Sequence, residues 1–416
     1  MRIQALEKSG HGNRSAAMAL ENGSFRRSPA SFLRKALSHI MIGWLATAIL
    51  AAAFAAEGAD APALAASPPP RGRALVGAIR WDVWVGDLGL AEGFKHGIWN
   101  EMALASDEQW RDRIPFYGEW RADGSVRARF TDQETMDREI AYAKGALDYW
   151  AFLDYPPWSQ GDGRMHTALR LYLSSAHKAD LNFCIILNHR EWWLHRETYL
   201  GYFREPTYQT TVDGRPLVYL LMLQISTEEN ARAQAWLAKE MASLSEQSEA
   251  QGTGKPYYVV MCFRPTIAAM LCDLLGADAV SAYAKPKKGA GEPYAEYAQY
   301  VEQSWNGYKD TGKQVVPICM TGWDQRPRTV ECDNPQWARI RESGPGWFRK
   351  ATPEEIARHI AAAARWNREN PDAARTNAVI VYNWNEFTEG GWLCPVLGEE
   401  DARLRAIEKA RLAGAW

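Results

Sequence analysis

From about residue 73 onward, short apolar runs alternate with segments of helical period, and this alternation constrains the fold more than any other feature. The runs cover 74–84, 147–155, 181–187, 216–221, 257–263, 277–282, 315–320 and 378–382. Each is largely apolar without strict alternation, the pattern of a strand buried on both faces of a parallel sheet. Between them, residues 132–144, 228–250, 293–308 and 353–369 read as amphipathic helices. The last two open on proline, whose missing N–H costs nothing in a first turn. Eight strand–helix units in one chain favour closure into a barrel over an open, doubly wound sheet. The expected fold is therefore α/β, a single (β/α)8 barrel of the TIM type over residues 73–416.

The first part of the chain reads as an address. Arg26, Arg27, Arg34 and Lys35 precede a mainly apolar run over 36–56, with Ala53-Phe54-Ala55 as a small-residue exit. That layout is a signal peptide over 1–56, or else an uncleaved anchor, since the run is just long enough to span a bilayer. An Ala/Pro-rich linker over 57–72 follows. Both readings place the barrel outside the cytoplasm, periplasmic or secreted, with a membrane as partner only if the segment is kept.

The formal net charge of −2 gives no reason to expect nucleic acid as a partner. No Gly-x-Gly-x-x-Gly or Gly-Lys-Ser/Thr turn follows the first strand, which counts against nucleotide binding. None of the six cysteines forms a Cys-x-x-Cys pair, and several lie in apolar strand runs, so they read as small buried hydrophobes. Export would leave disulfides open to them. No cluster has metal-ligand spacing, and no cofactor is expected. Many of the 19 tryptophans fall in polar, loop-like stretches. There they are either packing residues or platforms for an apolar ligand face of the kind sugars present.

A barrel of this type does its chemistry at the C-terminal ends of its strands. Those positions hold Trp84, Asp154, Tyr155, His189, Trp323, Asp324, Trp384, Asn385, Glu386 and Glu389. Glu386 and Glu389 are the candidate catalytic residues. Three residues apart in a tight turn, they stand on one face within reach of one another, and Gly390-Gly391 lets the backbone curl there. Two carboxyls that close separate into one that holds a proton and one that does not, as glycosidic cleavage requires. The other residues named are expected to contact a saccharide. His189 is alternatively a general base or a hydrogen-bonded loop residue. Asp324 is expected to accept from a sugar hydroxyl, with an ion-paired loop role as its alternative. Arg190 and Arg264 are expected to neutralise an acidic pocket, with binding of an anionic group as the alternative.

The element Asn385-Glu386-Phe387-Thr388-Glu389-Gly390 resembles the Asn-Glu-x-x-Glu-Gly element of glycoside hydrolase family 99, the endo-α-mannosidase type, and of bacterial family-99-like proteins labelled as O-antigen glycosyltransferases. Tyr155-Pro156-Pro157, Asp213-Gly214-Arg215-Pro216-Leu217 and Thr321-Gly322-Trp323-Asp324 resemble further pieces of the same relatives in the same order. The resemblance implies a (β/α)8 barrel that cuts within α-mannosidic chains without a metal. It implies that Glu386 takes the proton of a sugar 2-hydroxyl, whose oxygen attacks the neighbouring carbon to form an epoxide. It implies that Glu389 protonates the leaving oxygen and later activates water, and that Asn385 contacts substrate. Phe387 and Thr388 stand where the family usually has Trp-His, Gly391 where it has Thr, and Arg80-Trp81-Asp82-Val83-Trp84 where it has a Tyr-rich strand. The implied site therefore keeps its carboxylates and differs in its sugar contacts.

Three functions follow from these readings. The first is an exported retaining glycoside hydrolase acting on an α-linked oligo- or polysaccharide. The second is a glycosyltransferase-like protein of polysaccharide biosynthesis. The third is a glycan-binding protein on the same barrel without chemistry.

Overall fold

A computed structural model of the chain describes residues 72–86, 95–155, 164–188, 192–222 and 228–415, except 233 and 235. The expected signal or anchor and nearly all of the linker lie outside these residues, as do His189 and Arg190.

All eight expected strands form, trimmed at their ends. They are β1 (Leu75–Arg80), β2 (Tyr149–Leu153), β3 (Asn182–Leu187), β4 (Leu217–Leu221), β5 (Tyr257–Met261), β6 (Ala279–Ser281), β7 in two pieces (Gln314–Val315 and Ile318–Met320) and β8 (Ala378–Tyr382). Every pairing in the main sheet is parallel. β1 through β6 pair in sequence order, and β8 pairs with β1. The first piece of β7 pairs with β6 and the second with β8. The break falls at Pro317, which cannot donate to a ladder. Pairing continues on either side of it: the Val316 N–H donates to Val280 O at 3.0 Å and the Ile380 N–H to Pro317 O at 3.1 Å. One interrupted strand thus serves both edges of the sheet, which curls round on itself in the TIM manner.

The inside is a packed core. Tyr149 of β2 and Tyr219 of β4 point inward from alternate strands and join hydroxyl to hydroxyl at 2.8 Å. Gly77 of β1 makes room for them, since a Cβ there would lie 2.2 Å from the Tyr149 ring. Helices cover the outside. Gln133–Ala143 is capped by Asp132, which accepts from the Thr135 N–H, and Pro353–Glu369 opens with a Thr352/Glu355 capping box. Tyr294–Lys309 begins one residue after Pro293. The helix expected over 228–250 is two helices, Glu228–Arg232 and Leu237–Ala250. All six cysteines are free thiols, five of them buried, so the disulfides that export would have permitted are not formed.

Candidate active site

β8 ends at Tyr382, and the chain then folds into a tight hairpin. Asn385–Glu386 pairs antiparallel with Gly391–Trp392, and Phe387–Glu389 makes one turn of 3-10 helix at the tip. This places Glu386 at the entry of the turn and Glu389 at its exit. Gly390 closes the turn at φ +76°, a left-handed conformation suited to glycine. The loop after β7 lies directly against it. A Cβ on Gly322 would come 2.0 Å from Gly390 O, and the Asp324 N–H donates to Glu389 O at 2.6 Å. Two loops from neighbouring strands therefore meet backbone to backbone, which fixes the turn that carries the carboxylates.

Arg328, from the same β7 loop, joins the two acids. Its Nη2 donates to Glu386 Oε2 at 2.8 Å, its Nη1 to Glu389 Oε1, and its Nε to Thr388 Oγ1 at 3.0 Å. The Thr388 hydroxyl in turn donates to Asn100 Oδ1 at 2.6 Å. The Tyr382 hydroxyl donates to Glu389 Oε2. Burial, with the charge of Glu389 adding to it, pushes the Glu386 carboxyl from 4.5 up to about 8 against the pull of Arg328. Glu386 is thereby inclined to keep its proton at neutral pH, as burial next to a second carboxyl group favours. Burial also raises the Tyr155 hydroxyl to about 12 against the hydrogen bonds from Trp81 and Asn188.

Both glutamates line one cavity of about 630 Å³ at the C-terminal mouth of the barrel. Trp81, Tyr155, Tyr283, Trp323, Tyr382 and Phe263 give it an aromatic wall. Trp81 Nε1 donates to Tyr155 Oη at 3.2 Å, and Tyr283 meets Tyr382 edge-on with ring centroids 5.5 Å apart. Apolar faces with a few convergent polar groups are the general form of a small-molecule site. Among the described residues, no group of three His, Cys, Asp or Glu side chains could hold a metal ion.

Of the expected sugar contacts among the described residues, Tyr155 and Trp323 reach the cavity wall, and the others stand elsewhere. Trp84 is fully buried and packs edge-on against Phe387 at 5.1 Å. Trp384 is fully buried and donates to Glu139 Oε1 at 2.9 Å. Both are core: they lie past the ends of β1 and β8, where facing is set by packing and not by strand alternation. Asp154 is buried behind the wall and accepts from the Tyr199 hydroxyl at 2.8 Å. Asp324 is ion-paired to Arg113 and Arg326, the loop role that was its alternative. Asn385 is buried off the wall; its Oδ1 accepts the Trp81 N–H at 3.0 Å and so steadies a residue that does line the cavity. His189 lies outside the described residues. Arg328 is the cation that contacts the two glutamates; Arg264 occupies the N-cap position of the helix Pro265–Leu275 without a side-chain cap bond. Sequence reasoning missed Arg328, Trp81, Tyr283 and Tyr382. All four sit at strand ends or in the loops that follow, so position was the available signal.

No family model matches the chain, and no curated protein matches its sequence. Among solved structures, the chain is similar to the GH99 endo-alpha-mannosidase from Bacteroides thetaiotaomicron in complex with BIS-TRIS-propane. That likeness has 15% identity and a TM-score of 0.50, and it covers 82% of this chain and 98% of the other. A second structure of the GH99 endo-alpha-mannosidase from that organism gives 14% identity and a TM-score of 0.48 over 82% and 98% of the two chains. The likeness shows the fold.

Proposed function

We propose that this protein is a glycoside hydrolase acting on an α-linked glycan, with Glu386 and Glu389 as its proton-handling pair. The observation that carries the proposal is the pair itself: two buried carboxyls on one cavity wall, held by one guanidinium. The aromatic wall supports it, because pyranose rings stack their C–H faces on such surfaces. The structural likeness to a GH99 endo-alpha-mannosidase supports the same reaction class.

In the reaction, Glu386 receives the proton of a sugar 2-hydroxyl as that oxygen attacks the anomeric carbon, while Glu389 gives a proton to the departing oxygen. Water then opens the three-membered ring, and the protons return. Net retention follows from two inversions at one carbon. The scheme needs one proton between the two acids, and substrate must arrive with it on Glu389. Arg328 contacts both oxygens in question and is placed to balance that transfer. The basic and apolar N-terminal pattern supports action outside the cytoplasm.

The test is turnover on a panel of α-linked oligosaccharides, with the first-formed product followed by proton NMR. The α-anomer of the newly exposed reducing end is expected first. No cleavage of any member, or the β-anomer first, would sink the reading.

A further inference from the structure

Resting on the glycosidase reading, we propose that the glycan this cavity takes is anionic, its carboxylate, sulfate or phosphate group bound by Lys287 and Lys288 at the mouth. The charged residues on the wall are Glu386, Glu389, Arg328, Lys287 and Lys288. Arg328 is committed to the two glutamates. That leaves two ammonium groups with no further carboxylate on the wall among the described residues. Neutral sugar hydroxyls are served by amides such as Gln325 and Gln336; adjacent lysines add a point charge whose natural partner is an anion.

Neither lysine is ion-paired among the described residues. Lys287 Nζ stands 4.7 Å from the Tyr300 ring centroid and 5.8 Å from that of Phe348. Lys288 Nζ donates to Ser343 O at 2.6 Å, which leaves two of its three N–H bonds for a ligand. Glu292, whose carboxylate feels the Lys287 charge, accepts instead from the Ala290 N–H at 2.7 Å.

The lysines are carried by a firmly seated segment. A Cβ on Gly346 would lie 2.8 Å from Lys287 O, and one on Gly289 would lie 2.6 Å from both Trp347 O and Phe348 Cζ. The Trp347 N–H donates to Gly289 O at 3.2 Å. Backbones this close fix the segment that carries both lysines beside the cavity, which lowers the ordering cost of binding to what their side chains lose.

The experiment is affinity electrophoresis of the full chain carrying Glu386→Gln, which keeps the neutral form of that side chain and stops turnover. The gels contain three matched pairs: polygalacturonate and its carboxyl-reduced product, dextran sulfate and dextran, and phosphomannan before and after dephosphorylation. At least one charged polymer is expected to bind about tenfold more tightly than its neutral twin, the size that two solvent-accessible charge contacts supply. The polymer preferred identifies the anion. Adding Lys287→Gln and Lys288→Gln should abolish the preference, whereas Lys255→Gln with Lys409→Gln, both exposed elsewhere, should leave it. Equal binding within every pair, no binding at all, or a preference that survives loss of Lys287 and Lys288 would overturn the proposal. The glycosidase reading is judged separately by turnover. Cleavage of a neutral glycan without charge preference would sink this inference alone. A lysine-dependent preference without cleavage of any glycan would sink the other alone.

Discussion

Arg80 and Arg328 are both buried guanidiniums that each hold two carboxylates, in two neighbouring parts of the barrel mouth. Arg80 donates to Asp82 at 2.8 Å and to Glu139 at 2.8 Å. Arg328 donates to Glu386 at 2.8 Å and to Glu389. The first cluster is sealed: Arg80 and Glu139 are fully buried, Trp384 and Cys394 close over Glu139, and Arg80 stacks on Trp150 at 4.6 Å. The second borders a cavity that can hold a sugar. Both clusters perturb their acids. Burial, with Glu139 adding to it, raises Asp82 to about 6 against the charge of Arg80, and the same kind of balance raises Glu386 to about 8. A shifted acid therefore does not by itself mark a site. Access to an opening separates the chemistry from the scaffold.

The largest expected difference between the two clusters lies in stability. Glu139→Gln leaves Arg80 buried with one carboxylate lost and loosens Trp384, so it should cost about 3–5 kcal/mol in urea unfolding. Glu386→Gln should cost far less, since it substitutes a group already protonated at neutral pH. Equal losses would erase the distinction between scaffold and site.

A smaller effect is read from pH. Glu386 gives up its proton as pH rises through about 8, so kcat/KM should decline above that value, by about tenfold by pH 9. The sign for stability is set by the same shift. Its carboxyl is raised in the folded state, so the stabilisation is complete below about 4.5 and is lost as pH climbs to about 8. Wild type should show that loss, and Glu386→Gln should not. A flat wild-type profile across this window would contradict the placement of the proton.

The barrel was legible because its signal is repeated. Eight apolar runs of strand length, separated by helical segments, leave few ways to bury them, and the two pieces of β7 on either side of Pro317 still pair with β6 and β8. The two glutamates were legible because Glu-x-x-Glu-Gly-Gly at a strand end can hardly do other than turn. Facing was not legible. Trp81 and Trp84 stand three residues apart in one short segment, yet Trp81 lines the cavity and Trp84 packs on Phe387. Trp384 looked like a sugar platform until Glu139, far away on the helix Gln133–Ala143, took its N–H. Arg328 gave no local sign of its role, because its partners lie across the gap between two loops that only the closed barrel brings together. Phe387 and Thr388, where the resemblance departs, turn out to face inward: Phe387 fills the space beside Trp84, and the Thr388 hydroxyl accepts from Arg328.

The central claim is that Glu386 and Glu389 act as one unit on one saccharide. It is tested most directly by kcat/KM for wild type, Glu386→Gln, Glu389→Gln and the double variant on a single α-linked glycan. Each single change should cost about 10²–10⁴-fold, and the double should fall within about tenfold of the worse single, because removing either member disables the pair. Wild-type turnover in either single variant, or losses that multiply in the double, would contradict it.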